Sequence, residues 1–245
     1  MRKILKILVY FLLLNSFILL GYLFTIQNSE VFIFENATLT KVIDGDTIET
    51  SVGNVRLLGI NAPEKNELGY EEAKQFLKEF ENKKILLVGF KNKNFDKYKR
   101  KLRYVFYKGE NLNKELLRRG LAKLYYYEQD SFYEDMEKAE EYARKRGLGI
   151  WEKSDCLCAG CIELKKLEPR EEYAVLCNKC NFTCNLSGWI IKDDANHKTI
   201  LNFSLNFGEE KTIYFEKIWN NDKDSFYLRD KKEKLVLFYR YNNFK

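Results

Sequence analysis

The chain has 245 residues, of which 45% are hydrophobic and 32% are charged. This composition indicates a globular protein of one or two domains, and it excludes a mainly disordered, collagen-like or polytopic membrane protein. The formal net charge of +6 permits an anionic partner but does not require one. His197 is the single histidine of the chain, which excludes any mechanism that needs two.

The N-terminus carries a long apolar segment. Residues 7–26 form an uncharged run, ILVYFLLLNSFILLGYLFTI, and Arg2, Lys3 and Lys6 precede it. A helix of this length, at about 1.5 Å per residue, spans the roughly 30 Å hydrocarbon core of a bilayer. The preceding positive charges predict a single-pass membrane anchor at residues 1–26, with the bulk of the chain outside the cell. A cleaved signal peptide, which would give a secreted protein, is the alternative, although no small-residue cleavage site follows the run.

After a short spacer at residues 27–36, residues 37–151 show strands followed by helices. Strand-like segments separated by turn residues lie at Ala37–Ile43, Thr47–Ser51, Val55–Ile60, Ile85–Phe90 and Leu102–Tyr107. Helices are predicted over Tyr70–Asn82, over Asn111–Arg119, and from a Ser131/Glu134 capping box to about Gly147. This order predicts an α+β domain in which helices pack on an antiparallel, barrel-like sheet.

The last third of the chain, residues 164–245, predicts strands without helices. Short apolar runs alternate with Asn, Asp and Gly turns, at Trp189–Ile191, Thr199–Leu205, Thr212–Phe215, Ser225–Arg229 and Lys234–Tyr239. Such spacing is typical of an all-β sandwich. Trp189 and Trp219 are the expected core anchors of this sandwich, and His197 is expected to be structural.

The six cysteines lie close together in the sequence, in a linker at residues 152–163 and just after it. They are Cys156, Cys158, Cys161, Cys177, Cys180 and Cys184. In an exported chain they predict up to three disulfides of undetermined connectivity. Two C-x-x-C pairs, Cys158/Cys161 and Cys177/Cys180, have zinc-ribbon spacing, so a structural Zn²⁺ is the alternative. The expected export favours disulfides.

Three clusters in residues 37–151 carry the chemistry of phosphodiester cleavage. The DGD turn at residues 44–46 and the NAPE loop at residues 61–64 supply oxygen donors that suit Ca²⁺ or Mg²⁺. The Glu64 carboxylate can accept a proton from an attacking water. Arg56 and Arg100 can clamp a phosphate and stabilise the charge that develops on it. Each cluster alone is compatible with an ordinary turn or a solvated surface, so the prediction depends on their joint occurrence.

These clusters resemble the staphylococcal nuclease (thermonuclease) family. The matching stretches are TKVIDGDTIE, VRLLGINAPE, DKYKRKLRYVFY, NLNKELLRRGLAKLYYY and ARKRGLGIW. The resemblance implies an OB-fold, a five-stranded barrel with three helices, at residues 37–151. It also implies a metal-dependent endonuclease that acts on DNA, RNA or both without strong sequence specificity.

The resemblance assigns roles to individual residues. Arg56 and Arg100 match the catalytic arginines, and Glu64 matches the general base or water-orienting carboxylate. Three further positions match nucleotide-contacting residues of the family: Lys97, Tyr98 and Tyr126.

The calcium ligands implied by the resemblance are Asp46, Asn61 and the backbone carbonyl of Ala62, with Asp44 as a supporting acid nearby. The family's second metal carboxylate is replaced here by Asn61. An amide offers an oxygen but removes one negative charge, so we expect weaker Ca²⁺ binding. If this lost charge is the only defect, Asn61→Asp should raise cleavage.

Residues 164–245 resemble the lamin-tail domain, an immunoglobulin-like β-sandwich. The matching stretches are CNFTCNLSGWIIKDDANHKTI, SLNFGEEKTIYF and IWNNDKDSFYLRDKKEKLVLFYRY. This resemblance implies a domain that binds or positions a nucleic acid, a protein or the cell envelope, and it supplies no chemistry. The chain as a whole is expected to be a membrane-anchored extracellular nuclease. The alternatives are a catalytically weak surface protein that binds nucleic acid and an envelope scaffold.

Overall fold

The structure is a computed structural model that describes residues 15–16, 30–126 and 128–242. The predicted anchor at residues 1–26 lies outside these ranges except for Asn15 and Ser16. Within the described ranges, no helix has both the length and the apolar character needed to cross a bilayer.

The N-terminal part of the described chain is a closed barrel with helices packed on it. Its strands are β1 (Phe32–Val42), β2 (Thr47–Thr50), β3 (Gly53–Leu57), β4 (Ile60–Asn61), β5 (Lys84–Phe90), β6 (Lys101–Tyr107), β7 (Glu110–Asn111) and β8 (Lys123–Leu124). Its helices are α1 (Tyr70–Lys78), α2 (Leu112–Arg118) and α3 (Tyr133–Arg146). The strands pair in the order β3-β2-β1-β5-β6, and parallel pairing of β3 with β6 closes the ring. The predicted five-stranded, OB-like barrel with three helices is confirmed.

Apolar side chains that alternate along the strands fill the barrel. Leu39 of β1 and Leu87 of β5 are fully buried in one cluster, as expected for strands with one face on the core. Helix α1 covers this core with Ala73, Phe76 and Leu77, which share one face because they are three and four positions apart.

Two sequence expectations in this part differ from the structure. Strand β1 begins at Phe32, so residues 32–36 of the predicted spacer pair with β5 instead of linking two segments. The Ser131/Glu134 capping box before α3 is also wrong. The Asp130 carboxylate accepts from the Phe132 backbone N–H at 2.9 Å, whereas Ser131 N–H donates to Glu30. An Asp one position before the expected cap therefore turns the chain into the helix.

The C-terminal part contains strands in two main sheets. The strands are β9 (Ile162–Glu168), β10 (Tyr173–Asn178), β11 (Cys184–Asn185), β12 (Ile190–Lys192), β13 (Lys198–Ile200), β14 (Ser204–Leu205), β15 (Glu210–Tyr214), β16 (Lys223–Arg229) and β17 (Leu235–Asn242). One sheet has the order β15-β10-β9 and the other has the order β13-β12-β16-β17. Leu176 and Phe226, from different sheets, share one buried core with Trp189 and Trp219, so both tryptophans are core residues as predicted. The strands β9 and β10 were not anticipated, and β9 begins inside the predicted linker at residues 152–163.

His197 lies between β12 and β13 beside the buried carboxylate of Asp193. Its backbone N–H donates to Asp193 Oδ1 at 2.7 Å, and its ring Nδ1 lies 2.6 Å from Asp193 Oδ2. These contacts shape the turn, in agreement with the predicted structural role.

All six cysteines lie in the described residues, and four of them form two disulfides. The disulfides are Cys158–Cys184 and Cys161–Cys180, and the free thiols are Cys156, which is exposed, and Cys177, which is buried. The zinc-ribbon grouping of Cys177 with Cys180 is wrong. Cys177 is held in strand β10, and the residue that joins the cluster instead is Cys184.

The two parts of the chain are joined through a small apolar core of their own. Ile150 and Trp151, which follow α3, pack with Tyr227 of β16 and Leu235 of β17. These residues are buried, so the C-terminal part is packed firmly on the barrel. This packing brings the loops beside β12 close to β4 and β8.

Candidate active site

The acidic turn between β1 and β2 is packed tightly against the NAPE loop. A Cβ atom on Gly45 would lie 2.7 Å from the Cβ atoms of both Ala62 and Ala73. Only glycine therefore allows this turn to approach the loop and helix α1 so closely. The Asp46 backbone N–H donates to Asp44 Oδ1 at 3.1 Å, which fixes the direction of the turn.

Asp46 is a buried carboxylate that is held from three sides. Its Oδ2 accepts from the Ala62 backbone N–H at 3.0 Å and lies 3.0 Å from Arg56 Nη2. Its Oδ1 accepts from the Thr47 hydroxyl at 3.1 Å. Burial raises the pKa of Asp46 to about 6; the Arg56 charge opposes this shift, whereas the nearby Asp44 charge adds to it. A cation at this position would favour the ionised carboxylate.

Arg56 reaches this carboxylate from strand β3. Arg56 is paired with Thr47 in the antiparallel register of β3 and β2. The Nη1 atom donates to the backbone carbonyls of Leu57 and Ile60 at 2.9 and 3.0 Å. The Nη2 atom donates to Asn61 Oδ1 at 3.1 Å in addition to its contact with Asp46. The guanidinium is therefore fixed against both side chains that the sequence predicts as metal ligands.

Arg100 joins the same network through the Thr47 hydroxyl. Its Nη1 donates to Thr47 Oγ1 at 3.1 Å, and the same hydroxyl donates to Asp46. Its Nε donates to Asp96 Oδ2 at 2.7 Å, and this pairing lowers the pKa of Asp96 against the opposing effect of burial. Of the two predicted catalytic arginines, Arg56 thus contacts the Asp46 carboxylate directly and Arg100 is linked to it through the Thr47 hydroxyl.

The Asn61 amide has a partner on each side. Its Oδ1 accepts from Arg56, and its Nδ2 donates to the backbone carbonyl of Asp194 at 3.1 Å. A guanidinium offers only donors and a carbonyl only acceptors, so these partners fix which end of the amide is oxygen. Both ends of the predicted metal ligand are engaged, one of them by the C-terminal part.

Two further contacts tie the C-terminal part to this region. Lys123 of β8, whose strand pairs with Asn61, donates from Nζ to the Asp193 carbonyl at 2.7 Å. Lys192 of β12 forms an ion pair with Glu67 at 2.8 Å. Residues 61–67, which include Asn61 and Glu67, are therefore held between the barrel and the region around β12.

Glu64, the predicted general base, stands apart from the network. It is exposed, and its backbone N–H donates to Glu67 Oε2 at 3.0 Å. Within residues 30–126 and 128–242 its carboxylate makes no hydrogen bond or ion pair. It lies in the same loop as Asn61 and Ala62, where it is open to solvent.

The predicted nucleotide-contacting residues divide into exposed and packed side chains. Tyr98 is 68% exposed, and Lys97 Nζ and Arg100 Cζ lie 5.1 and 5.3 Å from its ring centroid. Tyr126 is half-buried, shares a hydroxyl–hydroxyl contact with Tyr104, and its ring leaves no room for a Cβ on Gly59. Tyr98 is thus placed as an open aromatic surface, whereas Tyr126 is largely a packing residue here.

Three residues of the site were missed from the sequence. Thr47 follows Asp46 directly in the sequence. Asp96 precedes Arg100 by four positions, and an acid–base pair at this spacing was a usable signal. Asp194 lies 133 positions from Asn61 and acts through its backbone carbonyl, so no side-chain motif could have identified it.

Comparisons with known proteins agree with this arrangement. The family model of staphylococcal nuclease homologues matches residues 54–153. The thermonuclease of Staphylococcus intermedius is 31% identical over 130 residues, which cover 49% of this chain and 77% of that protein. The chain belongs to the staphylococcal nuclease family.

Other family members share the same part of the chain. An uncharacterized endonuclease of Haemophilus influenzae is 34% identical over 119 residues, covering 46% of this chain and 64% of that protein. The SPbeta prophage-derived endonuclease YokF of Bacillus subtilis is 34% identical over 147 residues, covering 53% of this chain and 50% of that protein. The chain thus spans between half and two thirds of the length of these two relatives.

The oxygen donors at the site fit a hard divalent cation. Asp46 supplies a buried carboxylate, Asn61 an amide oxygen and Ala62 a backbone carbonyl, which are ligand types that Ca²⁺ and Mg²⁺ accept. Asp44 adds negative charge nearby, as its effect on the pKa of Asp46 shows. The set holds fewer formal charges than two carboxylate ligands would, because Asn61 is neutral.

Proposed function

We propose that the chain is a membrane-anchored extracellular nuclease that requires Ca²⁺ and hydrolyses DNA, RNA or both without strong sequence preference. The observation that carries the proposal is the connection of Arg56 and Arg100 to the single buried carboxylate of Asp46. Two guanidiniums in one network, one on the carboxylate and one joined to it through the Thr47 hydroxyl, match the needs of phosphoryl chemistry, in which charge grows on the phosphate oxygens. The relatives named endonuclease and thermonuclease support the reaction class.

Each residue of the site has a part in this reaction. Arg56 and Arg100 bind the scissile phosphate and stabilise its developing charge. The exposed Glu64 carboxylate accepts a proton from the attacking water. Ca²⁺ held by Asp46, Asn61 and the Ala62 carbonyl would supply a positive charge that polarises a phosphate oxygen.

The substrate contacts are electrostatic and aromatic. Lys97 and Lys99 are exposed beside Tyr98, where they can meet phosphates while the ring stacks on a base. The basic residues between positions 97 and 103 are not all available to a substrate, because Lys101 and the buried Arg103 are both paired with Glu35. A small open surface of this kind suits single-stranded or frayed nucleic acid without base-specific readout.

The remaining parts of the proposal come from the sequence. The apolar run at residues 7–26 supports anchoring with the bulk of the chain outside, and secretion after cleavage is its alternative. The division into residues 1–26, 27–36, 37–151, 152–163 and 164–245 follows the motifs, except that β1 begins at Phe32 within the spacer and β9 begins at Ile162 within the linker. The two sheets around a shared core support a lamin-tail-like, immunoglobulin-like sandwich that binds an envelope or protein ligand.

The decisive assay uses the full chain purified in detergent micelles. Labelled single-stranded DNA, duplex DNA and RNA are incubated with Ca²⁺, with Mg²⁺ and with chelator. We expect cleavage that needs the metal and that falls by about a hundredfold or more in Glu64→Gln, since proton transfer supplies rate factors of this order. Arg170→Ala, at an exposed turn far along the chain, is the matched control and should keep full activity. Folded chain that cleaves none of the three polymers with either metal would refute the proposal.

A second candidate is a surface protein that binds nucleic acid without cutting it, or an envelope scaffold. Two observations favour it. Both ends of the Asn61 amide are already engaged, by Arg56 and by Asp194. Because Asn61 is neutral, Asp46 is the one charged ligand of the predicted set. Binding of the labelled strands without cleavage in the same assay would select this candidate.

A further inference from the structure

The four disulfide-bonded cysteines meet at one point of the fold although they come from two separate segments. Cys158 and Cys161 lie on and just after the short 3₁₀ turn Leu157–Gly160, before β9. Cys180 and Cys184 lie on the loop that follows β10 and at the start of β11. Each disulfide joins one segment to the other, so the sulfurs of both pairs are brought to the same place.

The sulfur atoms are close enough to share one ion. The Sγ atoms of Cys161, Cys180 and Cys184 all lie within 4.8 Å of one another, and Cys158 is bonded to Cys184. Two independent disulfides do not require this proximity. A tetrahedral zinc with Zn–S bonds of about 2.3 Å does require it, because its four sulfurs then lie roughly 3.8 Å apart.

The ligand spacing and the burial also fit a structural metal site. The pattern is C-x₂-C on the turn and C-x₃-C on the loop, and short spacings of this kind let one turn of backbone present two ligands to one ion. Cys158, Cys180 and Cys184 are buried, and Cys161 is half-buried. A closed site with four thiolate ligands is typical of structural zinc, whereas catalytic zinc keeps one coordination position open.

The other two cysteines lie outside the cluster. Cys156 is exposed and Cys177 is fully buried, and both are free thiols. Cys156 lies only two positions from Cys158, yet it takes no part in the cluster. The fold therefore brings four of the six cysteines together, and the remaining two provide internal controls.

We infer that the reduced chain binds one Zn²⁺ through Cys158, Cys161, Cys180 and Cys184. Binding exchanges thiol protons for Zn–S bonds and changes no oxidation state. The disulfides are the alternative form of the same four sulfurs, so zinc and disulfides exclude one another. In either form the cluster fastens the 3₁₀ turn to the loop after β10, at the start of the C-terminal part. The inference is independent of the nuclease proposal.

The test uses the full chain, reduced with a phosphine, desalted without oxygen and incubated with Zn²⁺. We expect about one tightly held zinc per chain and protection of four thiols from alkylation, which a chelator reverses. With Co²⁺ in place of zinc, the same protein should show the intense visible absorption of a tetrahedral thiolate complex. Cys158→Ser and Cys180→Ser should lose both signals, whereas Cys156→Ser and Cys177→Ala should keep them.

Two outcomes would overturn the inference. One is a folded, reduced chain that takes up no zinc and in which Cys158, Cys161, Cys180 and Cys184 are alkylated equally with and without zinc; Cys177 is fully buried and is not counted. The other is zinc binding that persists unchanged in Cys158→Ser and Cys180→Ser. Where these variants fail to fold, the thiol-protection measurement on the unaltered chain still decides, because a zinc site protects four thiols and leaves Cys156 reactive. None of these measurements depends on cleavage of nucleic acid.

Discussion

The side-chain amide of Asn61 donates to the main-chain carbonyl of Asp194 at 3.1 Å, across the junction between the barrel and the C-terminal part. A carboxylate at position 61 could not make this contact, because it has no hydrogen to donate at neutral pH. The residue that departs from the metal-binding pattern implied by the resemblance is therefore the residue that ties the site to the C-terminal part. The two features have one explanation.

Asn61→Asp should separate the role of residue 61 as a proposed metal ligand from its role as a contact to Asp194. The unfolding free energy without metal should fall by about 1–3 kcal/mol, because the Asp194 carbonyl loses its donor and faces a negative charge. The increase in Tm on adding Ca²⁺ should become larger than in the unaltered chain, because a second carboxylate strengthens a hard-cation site.

The matched control at this position is Asn61→Ala, followed by thermal unfolding with Ca²⁺ and with chelator. It should lose a similar stability and gain no response to Ca²⁺. An Asn61→Asp chain that is as stable as the unaltered one without metal would contradict the role assigned to Asp194.

The Thr47 hydroxyl should act as a positioning group for Arg100. Thr47→Val keeps the shape of the side chain but removes the link between Arg100 and Asp46. On the proposed function, kcat should fall about tenfold with a smaller change in KM, since one charge-assisted hydrogen bond is lost at the guanidinium.

Thr50→Val in the same strand is the control for that measurement. The Thr50 hydroxyl donates to the Gly53 carbonyl in the β2–β3 turn and lies outside the network. Steady-state kinetics of both variants on one labelled strand should show the kcat defect in Thr47→Val alone. An equal defect in both would mean that loss of strand stability, and not positioning, lowers the rate.

Lys123 should make stability depend on pH in the alkaline range. Burial lowers the pKa of Lys123 from 10.5 to about 8, against the opposing attraction of Asp194. Between these two values the folded chain has released this proton while the unfolded chain still holds it. The Lys123 contribution to the unfolding free energy therefore rises with pH across the window, by up to about 3 kcal/mol.

Lys123→Met removes the titration while keeping the length of the side chain. Urea unfolding of both proteins at about pH 7 and about pH 10 measures the effect. The stability of the unaltered chain relative to Lys123→Met should increase between these pH values. A difference that stays constant would show that Lys123 does not titrate in this window.

Local patterns in the sequence predicted the barrel well, because its strands and helices carry clear periodicity. The spacing of Ala73, Phe76 and Leu77, for example, identified helix α1 and its buried face. The extension of β1 to Phe32 was missed because the apolar Phe32 and Phe34 lie on the exposed face whereas Glu35 lies on the inner face, so hydrophobicity does not follow the alternation of burial there. Strand boundaries depend on pairing with a distant partner, which a local pattern does not contain.

The candidate site was predictable in its residue types but not in its contacts. The motifs identified Asp46, Arg56 and Arg100, since side-chain chemistry can be read from residue identity. The partnership of Asn61 with Asp194 depends on how the two parts of the chain pack and on a backbone carbonyl. The same holds for Cys184, whose replacement of Cys177 in the cysteine cluster is decided by the path of strand β10 and the loop after it.

The most direct test of the account is the rate of Ca²⁺-dependent cleavage of a single-stranded oligonucleotide by Arg56→Ala and Arg100→Ala, each in the full chain. Both variants should be folded and should cleave about a hundredfold or more slowly, with Arg170→Ala unchanged, because each guanidinium is assigned to the charge that develops on the phosphate. Full cleavage rates in folded Arg56→Ala and Arg100→Ala would contradict the claim that the network around Asp46 is the catalytic centre.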